Sequence, residues 1–204
     1  KDNETILKEL KNKLKLENIN INLYLGNEIF VENNMLELLK NKSATSLNKS
    51  RYILFELPMN NNFKGLKDLL FNLQVNGYIP VIAHPERYRF IKENPEAIME
   101  LHQAGALFQV NVGSILGNYG EEAKKTMMLL LKHQIPSFMA TDTHHDTHEF
   151  YKKIPEVKNI LKKHIPEDYI EELFNVNTKN ILENKIFEPR DAIPFKKGLF
   201  GKIK

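Results

Sequence analysis

The run Ile79-Pro80-Val81-Ile82-Ala83, followed by His84-Pro85-Glu86-Arg87-Tyr88-Arg89-Phe90, decides how this chain is read. Apolar residues of strand type stop at a histidine. Pro85 has no amide donor and forbids a simple continuation of the ladder. An imidazole at the end of a buried strand, with guanidinium groups just behind it, suits a metal ligand beside an anion binder. Taken alone, such a histidine is more often a satisfied structural residue. Tyr88 and Phe90 are expected to cover the end of a barrel.

Working outward, neighbouring strand-like runs carry comparable residues at their ends. Arg51-Tyr52-Ile53-Leu54-Phe55 is apolar and ends at Glu56. Before it, Ile19 to Leu25 alternates with period two and leads to Glu28. Glu28, Glu56 and His84 are separated by equal steps of 28 residues, by subtraction. That is about one strand-plus-helix unit. A further step of similar length reaches Asn111, after a strand over Ala106 to Val110. The strand Pro136 to Thr141 then ends at Asp142, with His144 close behind. Successive strands are thus expected to place Glu28, Glu56, His84, Asn111 and Asp142/His144 at their carboxyl ends. In a parallel barrel or open α/β sheet that is the functional face.

Helical periodicity fills the intervals. Ile6, Leu7, Leu10 and Leu14 mark a helix over 4–16, and Met35, Leu36 and Leu39 a short one after Asn33 or Asn34. The polar stretch 41–49 reads as a loop. Phe63, Leu66, Leu69, Leu70 and Leu73 give a clear helix face that stops at Asn76-Gly77. Asn94-Pro95-Glu96 starts a helix ending near Gly105. Residues 113–120, rich in glycine, read as a flexible crossing. The helix 121–133 should bury Ala123, Met127, Leu130 and Leu131. Three further helical pieces are marked by Val157 to Leu161, Tyr169 to Phe174, and Ile181 with Leu182, the last capped by Asn177-Thr178. The alternation predicts an α/β fold with a parallel sheet. One domain is expected over 1–187, with 188–204 a basic, poorly ordered tail.

The 204 residues are 42% hydrophobic and 27% charged, enough for one sizeable core. A net charge of +3 is too mild to argue for nucleic acid. The absence of cysteine excludes thiolate catalysis, disulfides and cysteine zinc sites. It is compatible with a reducing compartment, and a cytoplasmic location is expected. No apolar run reaches the roughly 18–20 residues of a membrane span.

Two glutamates, an aspartate and histidines on adjacent strand ends make a hard-to-borderline divalent site, suited to Mn, Zn or Fe. Several anionic ligands packed together repel unless cations sit between them, which argues for more than one ion. Such ions clamp attacking and leaving oxygens and lower the pKa of a bridging water. Arg87 is placed to grip a phosphate oxygen, unless it pairs with Glu86 or Glu93. Each residue singly has an ordinary alternative: a surface acid, a turn, a solvated histidine. Asn111 reads as a hydrogen-bonding loop residue rather than a ligand, and His145 and His148 as solvated.

The blocks GNEIF, LFELP, IAHPERY, QVNVGSILGNYG and MATDTHH, in this order and spacing, resemble the bacterial metal-dependent tyrosine phosphatases of the PHP (polymerase and histidinol phosphatase) superfamily, which accompany capsule and exopolysaccharide loci. The resemblance runs from about Gly26 to Lys185. It implies a distorted (β/α)7 TIM-like barrel and a site for two or three ions of the manganese type, with Zn, Fe or Mg as alternatives. It implies Glu28, Glu56, His84, Asp142 and His144 as metal ligands and Arg87 as the catalytic, phosphate-binding residue. The implied reaction is hydrolysis of phosphotyrosine on the tail of a capsule-regulating tyrosine kinase, and a homo-oligomer is kept open.

Two departures stand beside this. Residues 1–20 hold none of the family's first motifs (His-x-His, an aspartate, a further strand-end histidine), so the barrel is expected here without its first strands and the ligand set incomplete. The stretch His145-Asp146-Thr147-His148-Glu149 also lacks the arginine that often follows the last motif. A small-molecule phosphoesterase of histidinol-phosphatase type and a non-catalytic binding module are the alternatives.

Overall fold

The sheet is laid down in chain order. In the computed structural model, which describes residues 2–195, β1 (Glu28–Phe30), β2 (Tyr52–Glu56), β3 (Ile79–Ala83), β4 (Leu107–Asn111) and β5 (Phe138–Ala140) lie side by side, each parallel to the next. Parallel neighbours need crossovers of a dozen or more residues. These carry α2 (Met35–Lys40), α3 (Leu66–Val75), α4 (Arg89–Glu93), α5 (Ala97–Gln103), α6 (Val112–Ile115) and α7 (Glu121–Lys132), with α1 (Asn3–Leu16) before β1. After β5 come α8 (Ile154–Leu161), α9 (Glu167–Glu171) and α10 (Asn177–Leu182), the last two joined through a π turn at Glu172–Val176. The expected α/β class with a parallel sheet is therefore observed.

Strand alternation sorts the core onto two faces. Ile53, Phe55, Ile82 and Phe108 point to one side and pack with Met35, Leu70, Leu73, Ile91 and Ile98 of the crossover helices. Val110 and Met139 continue that side against Met127, Leu131, Val157 and Leu173. Tyr52, Val81, Leu107 and Phe138 point the other way, where Ile181 and Phe187 cover them. The crossovers thus share one face, and no pairing joins β5 to β1 among the described residues.

The first strand differs from expectation. Residues 19–25 form no strand; Ile21 is 60% exposed and Tyr24 51%. An alternating pattern makes a strand only where a ladder partner and an apolar surface are both at hand. The free edge of β2 is taken instead from Glu28 onward, Glu28 facing Leu54 and Phe30 facing Glu56. Glu28 consequently opens β1 rather than closing it.

Three further places are more ordered than their composition implies. The glycine-rich stretch 113–120 begins inside α6, whose four residues are buried. Asn177, expected as a helix cap, is buried mid-helix and donates Nδ2–H to the Ser137 carbonyl at 2.9 Å. Within the segment expected to be a loose tail, residues up to Phe195 have defined partners. Arg190 pairs with Glu172 at 2.7 Å, Ile193 N–H donates to the His133 carbonyl at 2.9 Å, and Phe195 stacks on His133. The apolar Phe195, which packs into the core, gives that segment something to bury. Residues 196–204, with all four of the tail's lysines, lie outside the described residues.

One half-buried histidine makes the fold sensitive to acid. His102 of α5 stacks on Phe108, its Nε2 is buried without a partner, and burial pushes its pKa below the usual histidine value, with Asp191 opposing. The unfolded chain takes up this proton at about pH 6.5 and the folded chain resists it. Stability is therefore full above about pH 6.5 and falls as pH drops through that value toward the folded pKa. Denaturant midpoints between pH 7.5 and 5 should fall less steeply for His102→Gln than for the parent; equal slopes would refute this.

Candidate metal centre

His84 is placed by backbone strain. As the next residue after Ala83, an extended His84 would point to the helix-covered face. Instead it takes a left-handed conformation, φ 36° and ψ 54°, immediately before a proline. For a non-glycine residue this costs on the order of 1–2 kcal/mol and persists only where the surroundings enforce it. Here His84 N–H donates to the Gln109 carbonyl at 2.6 Å, and Pro85–Arg87 close a single 3-10 turn. The reversal brings the ring, only 2% exposed, beside the first residue of β1 and the last of β2.

There His84 Nε2 lies 3.1 Å from Glu28 Oε1 and 3.3 Å from Glu56 Oε2. One ligand atom from each residue falls within 4.8 Å of the others. Bonds of about 2.0–2.2 Å to one cation put neighbouring donors roughly 3 Å apart, so these separations fit a shared ion. Two carboxylates facing one imidazole also match the oxygen and nitrogen donor set of a hard-to-borderline divalent metal.

The remaining predicted residues form an adjoining cluster rather than part of this triad. Asp142, also left-handed at φ 51°, accepts a hydrogen bond from Asn111 Nδ2 at 2.7 Å. Its Oδ2 lies 3.5 Å from Arg87 Nη1. His144 Nδ1 sits 2.8 Å from the Asp142 carbonyl and 3.3 Å from its Oδ1. The imidazole of His144 is largely exposed, and His145 pairs with Asp146 at 2.8 Å. Arg87 pairs with neither Glu86 nor Glu93. Its guanidinium lies over the Tyr119 ring at 4.3 Å, a cation–π contact. That ring comes close because Gly113 has no side chain: a Cβ there would meet Tyr119 Cε2 at 2.9 Å.

Glu86 is the residue whose role the sequence did not reveal. It is fully buried, and its Oε1 accepts from Asn111 N–H at 3.0 Å and from Ser114 Oγ–H at 2.6 Å. Burial holds its carboxyl above the usual range, opposed by those two hydrogen bonds. A glutamate between proline and arginine reads as a surface acid; only the neighbouring buried Asn111 and Ser114 show otherwise. Tyr119 was likewise hidden in a glycine-rich run.

Tyr88 locks the ends of β2 and β3 together below the site. Its hydroxyl donates to the Ala83 carbonyl at 2.7 Å and accepts from Leu57 N–H at 2.9 Å. Burial pushes that hydroxyl far above the usual phenol range, so it stays protonated. The expected covering role is thus a hydrogen-bonded one. Tyr88→Phe would leave a buried amide and carbonyl unpaired and should cost about 1–3 kcal/mol of unfolding free energy by denaturant titration. A loss below the error of that titration would count against this reading.

A family model described as "Capsular polysaccharide synthesis, CpsB/CapC" matches residues 1–183. CapC of Staphylococcus aureus is 35% identical over 181 residues, spanning 88% of this chain and 69% of that protein. The tyrosine-protein phosphatase YwqE of Bacillus subtilis (strain 168) is 32% identical over 195 residues, 95% of this chain and 76% of that protein. The tyrosine-protein phosphatase CpsB of Streptococcus agalactiae is 29% identical over 165 residues, 78% and 67%. A crystal structure from work on YwqE of Bacillus subtilis and CpsB of Streptococcus pneumoniae, described there as unique metal-dependent tyrosine phosphatases, matches with a TM-score of 0.84 at 31% identity. It covers 93% of this chain and 76% of that one.

Proposed function

This chain belongs to the CpsB/CapC family of capsular polysaccharide synthesis, and on that premise we propose that it is a metal-dependent phosphatase acting on phosphotyrosine in a protein. The observation that carries the proposal is the convergence of Glu28, Glu56 and His84 on one centre, with Arg87 three residues beyond His84 and 3.5 Å from Asp142. The tail of a capsule-regulating tyrosine kinase as substrate, the cytoplasm as compartment and manganese as the ion belong to the same proposal. Among the described residues no helix is long and apolar enough to cross a membrane.

Glu28, Glu56 and His84 would hold an ion, and Asp142 with His144 would supply ligands from the segment after β5. Bound there, divalent ions lower the pKa of water and neutralise charge on the phosphate. The chain's own part is orientation. Arg87, backed by the Tyr119 ring, offers guanidinium N–H groups to the phosphate oxygens. The strained turn at His84 keeps the imidazole facing the two carboxylates before any ligand arrives, which is preorganisation in the electrostatic sense.

We also read the sheet as part of a barrel. Strands added in sequence order, with no reversal, bring every right-handed crossover to one face. That arrangement supports a TIM-like arc, since doubly wound sheets reverse strand order and cover both faces.

The test is phosphate release from a phosphotyrosine peptide by the purified protein with Mn²⁺, beside histidinol phosphate as competitor substrate. Faster turnover of the peptide supports the proposal. Turnover of histidinol phosphate alone, or of neither, overturns it. Arg87→Ala should lower kcat/KM on the peptide by about 100-fold, as loss of a charge-stabilising donor does elsewhere. An unchanged kcat/KM would remove Arg87 from the site.

A further inference from the structure

The ladder that positions the ends of the earlier strands does not reach Asp142. β5 pairs with β4 only as far as Ala140, which faces Asn111. Asp142 stands beyond that pair, in a left-handed conformation, at the root of a polar segment. Something other than the sheet must therefore hold its carboxylate. The nearest device is the Asn111 amide, whose Nδ2–H donates to Asp142 Oδ2 at 2.7 Å. The other end of that amide, Oδ1, is buried without a partner, so the hydrogen bond to Asp142 is the one this side chain makes among the described residues. Asn111 in turn is fixed from behind. Its own N–H donates to Oε1 of the buried Glu86, which also receives Ser114 Oγ–H.

Glu86 is covalently next to Arg87, and Arg87 faces the same Asp142 Oδ2. Arg87, Asp142, Asn111 and Glu86 thus form a closed circuit linking the turn after β3 to the ends of β4 and β5. Buried polar groups tied in this way specify one arrangement, because each member left alone would be costly.

We propose that Asn111, anchored through its backbone N–H on Glu86, is a positioning residue that aims the Asp142 carboxylate for metal binding and keeps it in register with Arg87. The inference rests on the reading of Asp142 as a ligand. Asn111 itself touches neither the ion nor the substrate. Partners that orient ligating carboxylates commonly change metal affinity by 10–100-fold when removed.

A double-mutant cycle tests this, because a residue that acts through Asp142 loses its effect once Asp142 is gone. Calorimetric titration with Mn²⁺ alone would be run on the parent, Asn111→Ala, Asp142→Ala and the double variant, with thermal midpoints measured alongside. We expect Asn111→Ala to weaken Mn²⁺ binding by about tenfold or more, Asp142→Ala to weaken it further, and the double variant to match Asp142→Ala within about twofold. Binding by Asn111→Ala within twofold of the parent, while Asp142→Ala is impaired, overturns the positioning role and leaves the ligand assignment standing. So does a full additional loss in the double variant, which marks a general structural effect. Binding by Asp142→Ala equal to the parent overturns the ligand assignment, and the positioning role with it. If Asn111→Ala fails to fold, Asn111→Leu, of closer volume and without the amide, carries the same outcomes.

Discussion

Glu56→Gln should abolish Mn²⁺-dependent turnover of a phosphotyrosine peptide, lowering kcat/KM by more than about 100-fold, since it removes a ligand rather than a group behind one. The substitution keeps size and one carbonyl acceptor but removes the charge. Glu56 Oε2 lies 3.3 Å from His84 Nε2, and Glu28 Oε1 lies 3.1 Å from the same nitrogen. Crowded carboxylates repel each other in the metal-free protein. Stability without metal should therefore hold or rise, while the gain in thermal midpoint on adding Mn²⁺ shrinks, because a ligand that binds only the folded state stabilises in proportion to its affinity. Phosphate release and melting curves with and without Mn²⁺ check both halves. Parent-like turnover by the variant would sink the proposed chemistry, since no other residue of the triad can stand in for a lost carboxylate.

Phe108→Ala should be the most damaging single change to the fold, costing about 3–5 kcal/mol. Phe108 is fully buried in β4, on the helix-covered face, and His102 stacks against it. Truncation would leave a cavity between the sheet and α5 that rigid backbone cannot collapse to fill. For a chain of this length a loss of that size lowers the thermal midpoint by roughly 10 °C. The same strand ends in Asn111, three positions on, so the variant should also weaken Mn²⁺ binding at temperatures where it is still folded. Denaturant titration gives the first number and calorimetry the second. A loss below about 1.5 kcal/mol would mean that the core re-packs around the gap.

How far the chain could be read in advance varies with the element. β3 was legible to the residue, because an apolar run bounded by Gly77 and Pro85 leaves no other solution. The helix 121–133 was legible because Ala123, Met127, Leu130 and Leu131 fall on one stripe, and all four are buried in α7. The alternation at 19–25 misled, since period two reports a half-buried strand only where a sheet edge is free to receive it. Glu86 and Asn111 misled in the opposite sense. Glu86 sits in a turn and Asn111 at the end of β4, yet both are fully buried.

By itself, the order of residues determined the class of fold and the sites where ligating side chains sit along the polymer. Strand and helix periods, and punctuation by glycine and proline, are local properties that survive without any tertiary contact. Only the folded chain decided which of those side chains meet. Glu28 reaches His84 because β1 pairs from its first residue, and His84 faces the carboxylates because its backbone turns left-handed. Register and strain are set by the summed packing of distant segments, so no window of sequence contains them.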